Sequence, residues 1–310
     1  MTQAVEKKMQ DSALRFAPCV LVLDKPSGVS SFREVARVRR ESGVRRVGHL
    51  GTLDPLATGV LVVAVGEATK LIEYFMKADK VYEATAEFGK VSDTYDREGE
   101  IKAYSPGLIA KGPLDIAPSG SLLVREAIEQ ALSFFTGEIM QVPPIFSALK
   151  IKGKPAYELA RAGKKVELKA RPVTIYALEI LSFESPFLRL RIHCSSGTYI
   201  RSLIHDLGQK LGVGAIMTEL RRTRVGPFSL EALGEISLEK LVENWASFEL
   251  TESLFQALRQ GRIEKAPAGF PEALDGFPVA GFYHGKVVSL LEKDEKGDIR
   301  ILKNLCTGSF

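Results

Sequence analysis

Along residues 187–195 (FLRLRIHCS) apolar and charged side chains alternate without a break. A strand repeats every two residues, so Leu188, Leu190 and Ile192 face one way and Arg189, Arg191 and His193 the other. A segment of this kind belongs to a sheet with one face covered and the other in water, the antiparallel habit. Its partner is VTIYALEILSF (173–183), reached across a turn at Ser185 and Pro186. Further strands are read at CVLVLDKP (19–26), VLVVAV (60–65), KVYEATAEFG (80–89) and the basic ELRRTRVG (219–226). A basic helix starts near Phe32, capped by Ser30 or Ser31 and stopped by Gly43. Others are expected from Glu67 to Ala78, with Leu71, Ile72 and Phe75 on one face, from Leu122 to Phe135, over 156–163, and over 198–212. Strands and helices mix without the βαβ alternation of a doubly wound fold. The class is therefore α+β, a mixed and largely antiparallel sheet with flanking helices.

Three regions are expected: a flexible leader (1–17), a main domain (18–235), and helices with a small β-rich domain (236–310). Strands at 278–283, 286–291 and 299–303 would build the last of these. Residues 104–120, rich in Pro, Gly and Ser, read as an excursion from the core, and 141–155 as loop or short strand. Charge divides the same way. Residues 1–230 hold 33 Lys and Arg against 25 Asp and Glu, whereas 231–310 hold 9 against 13. The basic residues cluster at 33–46, at 150–171 and at Arg221, Arg222 and Arg224. Such clusters suit a polyanion, since each neutralised phosphate releases counterions. The longest apolar runs are too short for a bilayer, and the polar N-terminus lacks a signal peptide's apolar core. Cys19, Cys194 and Cys306 are too few and too scattered for a disulfide framework or a zinc cluster. A cytoplasmic protein with no metal and no membrane contact is expected.

The segment with most chemical content is GHLGTLDPLATG (48–59). Gly48, Gly51 and Gly59 let the backbone turn sharply, and Pro55 keeps Asp54 off the helical region. Taken alone, Asp-Pro in a glycine-rich loop is usually a turn. Its neighbours change that. LDKPSGVSS (23–31), GEATKL (66–71), KVYEA (80–84), PPIFSALKIKGKPAYELARAG (143–163), RPVTIYALE (171–179), SSGTYIRSLIHDLG (195–208) and ELRRTRVG (219–226) follow in order. Together these motifs resemble the TruB family of pseudouridine synthases over roughly residues 20–228. Leu50 departs from the family pattern, which has a smaller residue there.

The resemblance implies the pseudouridine synthase fold with a PUA-like RNA-binding tail. It also implies isomerisation of uridine 55 in the TΨC arm of tRNA to pseudouridine, without a cofactor or metal. Asp54 would be the catalytic carboxylate and Arg201 its cationic partner. Tyr82 would stack on the target base, Tyr199 and Leu220 would line the pocket, and His49 would help displace the uridine from its stack. Arg221, Arg222, Lys152 and Lys154 would face the RNA backbone. No obligatory protein partner is expected, and the chain should be a monomer. The chemistry agrees: breaking an N-glycosidic bond builds positive charge on the ribose, which an ionised carboxylate can stabilise or trap. The competing reading is a non-catalytic RNA-binding factor, which has no need of a paired, shielded carboxylate.

Overall fold

Ten strands drawn from residues 19–237 form one sheet. In this computed structural model the described residues are 17–105, 125–147, 149–151, 153–156, 158 and 168–306. In chain order the strands are β1 (Cys19–Lys25), β2 (Val47–Leu50), β3 (Thr58–Val65), β4 (Lys80–Phe88), β5 (Gly137–Gln141), β6 (Arg171–Glu184), β7 (Phe187–Cys194), β8 (Ala215–Val225), β9 (Phe228–Ser229) and β10 (Gly234–Ser237). Their order across the sheet is β10-β1-β3-β8-β4-β7-β6-β5, with β2 added to β3 and β9 to β8. Pairing is antiparallel except between β3 and β8, which run parallel at Thr58 and Gly59 against Arg221 and Arg222. The alternating run is β7, and it pairs with β6 across the Ser185–Pro186 turn as expected. Leu188, Leu190 and Ile192 are fully buried. Arg189 and Arg191 reach Glu83 on the open face.

Three helices cover the apolar face. Helix α1 (Ser31–Ser42) starts where Ser30 Oγ accepts from Arg33 N at 3.2 Å and ends at Gly43, φ 68°. Helices α2 (Arg125–Ser133) and α3 (Ile200–Leu211) bury Ile128, Ala131, Leu203, Ile204 and Leu207 against Ala84, Leu188 and Leu190. On β1 and β3 the opposite face is covered as well. Val20, Val22, Val60, Val62 and Ala64 pack there with Phe75, Phe228, Trp245, Ala280, Val287 and Leu305. That double burial is why VLVVAV is apolar throughout while β7 alternates. Leu50 belongs to this second cluster at 2% exposure, so its bulk fills core rather than the loop.

The tail is a five-stranded sheet: β11 (Ser247–Glu249), β12 (Glu264–Lys265), β13 (Val279–Tyr283), β14 (Lys286–Lys293) and β15 (Asp298–Asn304), ordered β11-β13-β14-β15-β12. Helix α4 (Glu252–Arg259) packs Phe255 and Leu258 against Val279, Leu291 and Ile299.

Several expectations are corrected. The helix read over 67–78 is a 3-10 segment (Gly66–Leu71) followed by a single α turn (Ile72–Phe75). Thr69 Oγ1 bonds the carbonyl of Gly66 at 2.8 Å, and Glu67 is held by Arg46 and Lys70. These local bonds hold the tighter turn while Ala68, Leu71 and Phe75 stay buried. A boundary at 236 would cut β10, which pairs with β1, so the main sheet runs to Ser237. Strand β5 was not anticipated. The leader, apart from Ala17, residues 106–120 of the excursion and the start of the helix expected from Leu122 lie outside the described residues, as does most of the helix expected over 156–163.

Candidate active site

Between β2 and β3 the chain makes the loop that carries Asp54, and nearly every residue of that loop is bolted down. Lys25, at 0% exposure, donates from Nζ to the carbonyls of Val29 (2.6 Å), Pro26 (2.9 Å) and Pro55 (3.2 Å). Gly28 N also donates to Pro55 O, at 2.8 Å. Ser31 Oγ accepts from Leu53 N at 2.8 Å and donates to Leu53 O at 3.0 Å. Ser27 Oγ donates to Leu56 O at 3.1 Å. The LDKPSGVSS stretch is thus a cradle for LDPL. From the other side, Arg222 donates to Val60 O (2.8 Å) and Gly51 O (3.1 Å). Gly59 makes this approach possible: at φ 101°, a Cβ there would lie 2.1 Å from Arg222 O.

Asp54 faces Arg201. Arg201 Nε stands 2.9 Å from Asp54 Oδ2, and its Nη1 is 3.4 Å from Asp96 Oδ2. The remaining donors go to main-chain carbonyls, Nη1 to Thr94 (3.1 Å) and Nη2 to Phe146 (3.0 Å). The Arg201 side chain is 6% exposed, with four acceptors gathered on it. Arg201 sits at the first turn of α3, whose entry at Tyr199 is fixed by Gln141: the amide accepts from Tyr199 N at 2.8 Å and donates to Tyr199 O at 3.1 Å.

Asp54, Arg201, Tyr82, Tyr199 and Leu220 line one cavity of about 330 Å³, together with Lys80, Arg222 and Gly197. Asp54 is part of its lining, with 37% of its side chain open. Burial raises the pKa of Asp54, and Arg201 pulls it back down, with Asp96 pushing up and Lys25 pulling down less strongly. Burial likewise raises Tyr82 and lowers Lys80. The space therefore presents one carboxylate, two tyrosine rings, apolar side chains and three cations. A site so arranged can stabilise a developing sugar cation while holding an anionic ligand.

The site residues read from sequence are not all brought together. His49 lies on β2 beside the loop, outside the cavity lining, with its ring 5.5 Å from that of Phe32, edge to face. Arg222, expected at the RNA backbone, is turned inward and 1% exposed. Arg221 forms a two-point pair with Asp24 (2.8 and 3.1 Å). Arg224 likewise binds Asp79, at 2.7 Å. Of this third basic cluster Arg222 is thus committed within the protein, whereas Arg221 and Arg224 are ion-paired with more than a third of their side chains exposed. Lys152 lies outside the described residues, as does the side chain of Lys154. Sequence reasoning missed Lys25, Lys80 and Asp96. Lys25 and Lys80 stood inside quoted motifs. Asp96 carried no signal, lying in a polar turn far from both partners. Among the described residues, no group of three or more His, Cys, Asp and Glu is placed to hold a metal ion. No helix among them is long and apolar enough to cross a membrane.

The N-terminal domain of TruB family pseudouridylate synthases matches residues 39–200, and the C-terminal domain of tRNA pseudouridylate synthase B matches 201–260. A tRNA pseudouridine synthase B of Aromatoleum aromaticum is 45% identical over 271 residues, 82% of this chain and 83% of that one. One from Thermobifida fusca is 43% identical, with 89% and 91% covered. Among solved structures, a chain of an H/ACA RNP bound to a substrate RNA containing 2′-deoxyuridine superposes with a TM-score of 0.64 at 26% identity, covering 93% of this chain and 85% of that one.

Proposed function

The chain belongs to the TruB family of pseudouridylate synthases, and we propose that it converts uridine 55 in the TΨC arm of tRNA to pseudouridine, with Asp54 as the catalytic carboxylate. The observation that carries this reading is the Asp54–Arg201 contact in the lining of the cavity.

The reaction is an isomerisation and needs no net oxidant or proton donor. The bond between N1 of uracil and C1′ of ribose breaks, the base turns, C5 bonds to C1′, and the proton lost from C5 is matched by one taken up at N1. As the first bond breaks, positive charge grows on the ribose. Asp54, ionised beside the sugar, stabilises or traps it. Arg201 keeps that carboxylate ionised in a site where burial favours its proton. Tyr82 offers a ring for the base, and Leu220 an apolar wall. Tyr199 lines the same cavity beside Gly197 and Thr198. To reach this cavity the uridine must leave its stack, at a cost of a few kcal/mol. His49 and the adjacent Phe32, 71% exposed, lie beside the loop where a vacated stack could be filled. Contacts to the RNA backbone are assigned to exposed residues at the start of the chain, Arg33, Arg40 and Arg45.

The test is Asp54→Asn with unmodified tRNA transcript. Pseudouridine formation should vanish while tRNA affinity stays near wild type, because affinity rests on phosphate contacts. Parallel loss of binding would mean that Asp54 holds structure rather than performs chemistry.

A further inference from the structure

Arg201 is held from behind by a short loop whose own anchorage the mechanism above does not use. Within residues 92–98, Asp96 Oδ1 accepts from Thr94 Oγ1 (2.6 Å) and Glu98 N (2.9 Å), which leaves Oδ2 for Arg201. The Thr94 carbonyl is the second acceptor for Arg201 Nη1. Between these two lies Tyr95, with φ 65°. This left-handed backbone is uncommon for a bulky side chain and persists only when the surroundings hold it. The holding groups are visible. Tyr95 N donates to Ser92 O, and Tyr95 O accepts from Met217 N on β8 at 3.0 Å. The Tyr95 ring is stacked on His205, with centroids 3.9 Å apart and planes 18° from parallel. His205 follows Arg201 by four residues on α3, one turn along the same face.

We infer that Tyr95 and His205 are positioning residues for the reaction: their stack pins the 92–98 loop to α3, so that Thr94 and Asp96 hold the Arg201 guanidinium in register with Asp54. Aromatic stacking suits this task because it fixes the distance and tilt of two elements over a broad contact. Tyr95 is the sequence neighbour of both Arg201 acceptors in this loop, Thr94 and Asp96, and His205 lies one helical turn from Arg201. A shift of either would be passed directly to the ion contact. Neither side chain lines the cavity. The inference rests on the proposed role of Asp54 and Arg201.

The test compares stack-breaking with stack-retaining variants. Tyr95→Asn tolerates the left-handed backbone and removes the ring, and His205→Ala removes the other ring. Tyr95→Phe and His205→Phe keep two rings. Single-turnover rates, KM for a tRNA transcript, the pH dependence of the rate and the melting temperature are measured for each. The expected result for Tyr95→Asn and His205→Ala is a rate lowered roughly 10- to 100-fold with KM unchanged. Their acid limb should also move to higher pH, since Asp54 loses part of the pull from Arg201. Both Phe variants should stay near wild type in rate and pH profile. If breaking the stack lowers the melting temperature but leaves the rate and acid limb in place, the stack is only packing and the inference falls. It falls equally if the Phe variants are as slow as the stack-breaking ones. Asp54→Asn, run alongside, separates the two claims: activity in that variant would overturn the assigned chemistry, not the coupling of the loop to Arg201.

Discussion

Arg201 meets two carboxylates and two main-chain carbonyls, and a lysine in its place could not satisfy four acceptors at those angles. Arg201→Lys is therefore expected to cut turnover by roughly 10²-fold, as the loss of a preorganised donor does; a rate within a few-fold of wild type would remove the ion-pair argument. The pH profile follows from the same contact. The proposed mechanism needs Asp54 ionised, and its pKa is raised, so the acid limb should lie above the usual aspartate value of 3.8. The same shift carries a sign for stability. Folded Asp54 holds its proton more tightly than the unfolded chain does, so its ionised form costs stability above the folded pKa, and that cost fades as pH falls. Asp54→Asn should accordingly melt no lower than wild type at neutral pH, which calorimetry can check. Some residues at this scale were legible and others were not. Asp54 and Arg201 stood in recognisable motifs. The inward turn of Arg222 was hidden, because Arg-Arg in a basic strand reads as surface until β3 and β4 are known to flank it. Its donors cap carbonyls of Val60 and Gly51, so Arg222→Ala should cost about 3 kcal/mol in urea unfolding. The salt dependence of tRNA binding should stay unchanged.

At the scale of elements, the loop carrying Asp54 is rigid because three other pieces of chain grip it: the end of β1, the start of α1 and the middle of β8. Alternation and capping made β7, β6 and α1 readable, since those signals are local. The junction of β3 with β8 was not readable. It joins Gly59 to Arg222 across the chain as the sole parallel contact in the main sheet among the described residues. Gly59→Ala tests it. The new methyl would fall 2.1 Å from Arg222 O in a backbone region unfriendly to alanine. Stability should drop by several kcal/mol, and activity should fall with it, because the strands must part beneath Asp54. A variant with wild-type stability would show that β3 and β8 do not meet this closely. The segment after Gly66 also shows where periodicity stops being informative: its buried face was read correctly, and its winding was set by Thr69 and by the Arg46–Glu67–Lys70 contacts.

At the scale of the whole molecule, the charge division of the sequence suggested two separable units, and the packing joins them. Phe75, Phe228 and Trp245 sit between the β1–β3 face and the tail's Ala280, Val287 and Leu305 in one apolar cluster. Lys303 also pairs with Glu73 at 2.8 Å. Thermal unfolding should therefore show one cooperative transition with near- and far-ultraviolet signals coincident; two resolved steps would mean that the tail docks only loosely. Composition could report the charge of each half but not the shared core, because the matching surfaces are far apart in sequence. The proposed function is that of an enzyme acting on a single everted nucleotide. Its most direct test is to incubate the purified protein with an unmodified tRNA transcript and map pseudouridine at each uridine. The account predicts complete conversion at position 55 alone, abolished by Asp54→Asn. Conversion at a different uridine, or a bound transcript left unmodified by the wild-type protein, would contradict it.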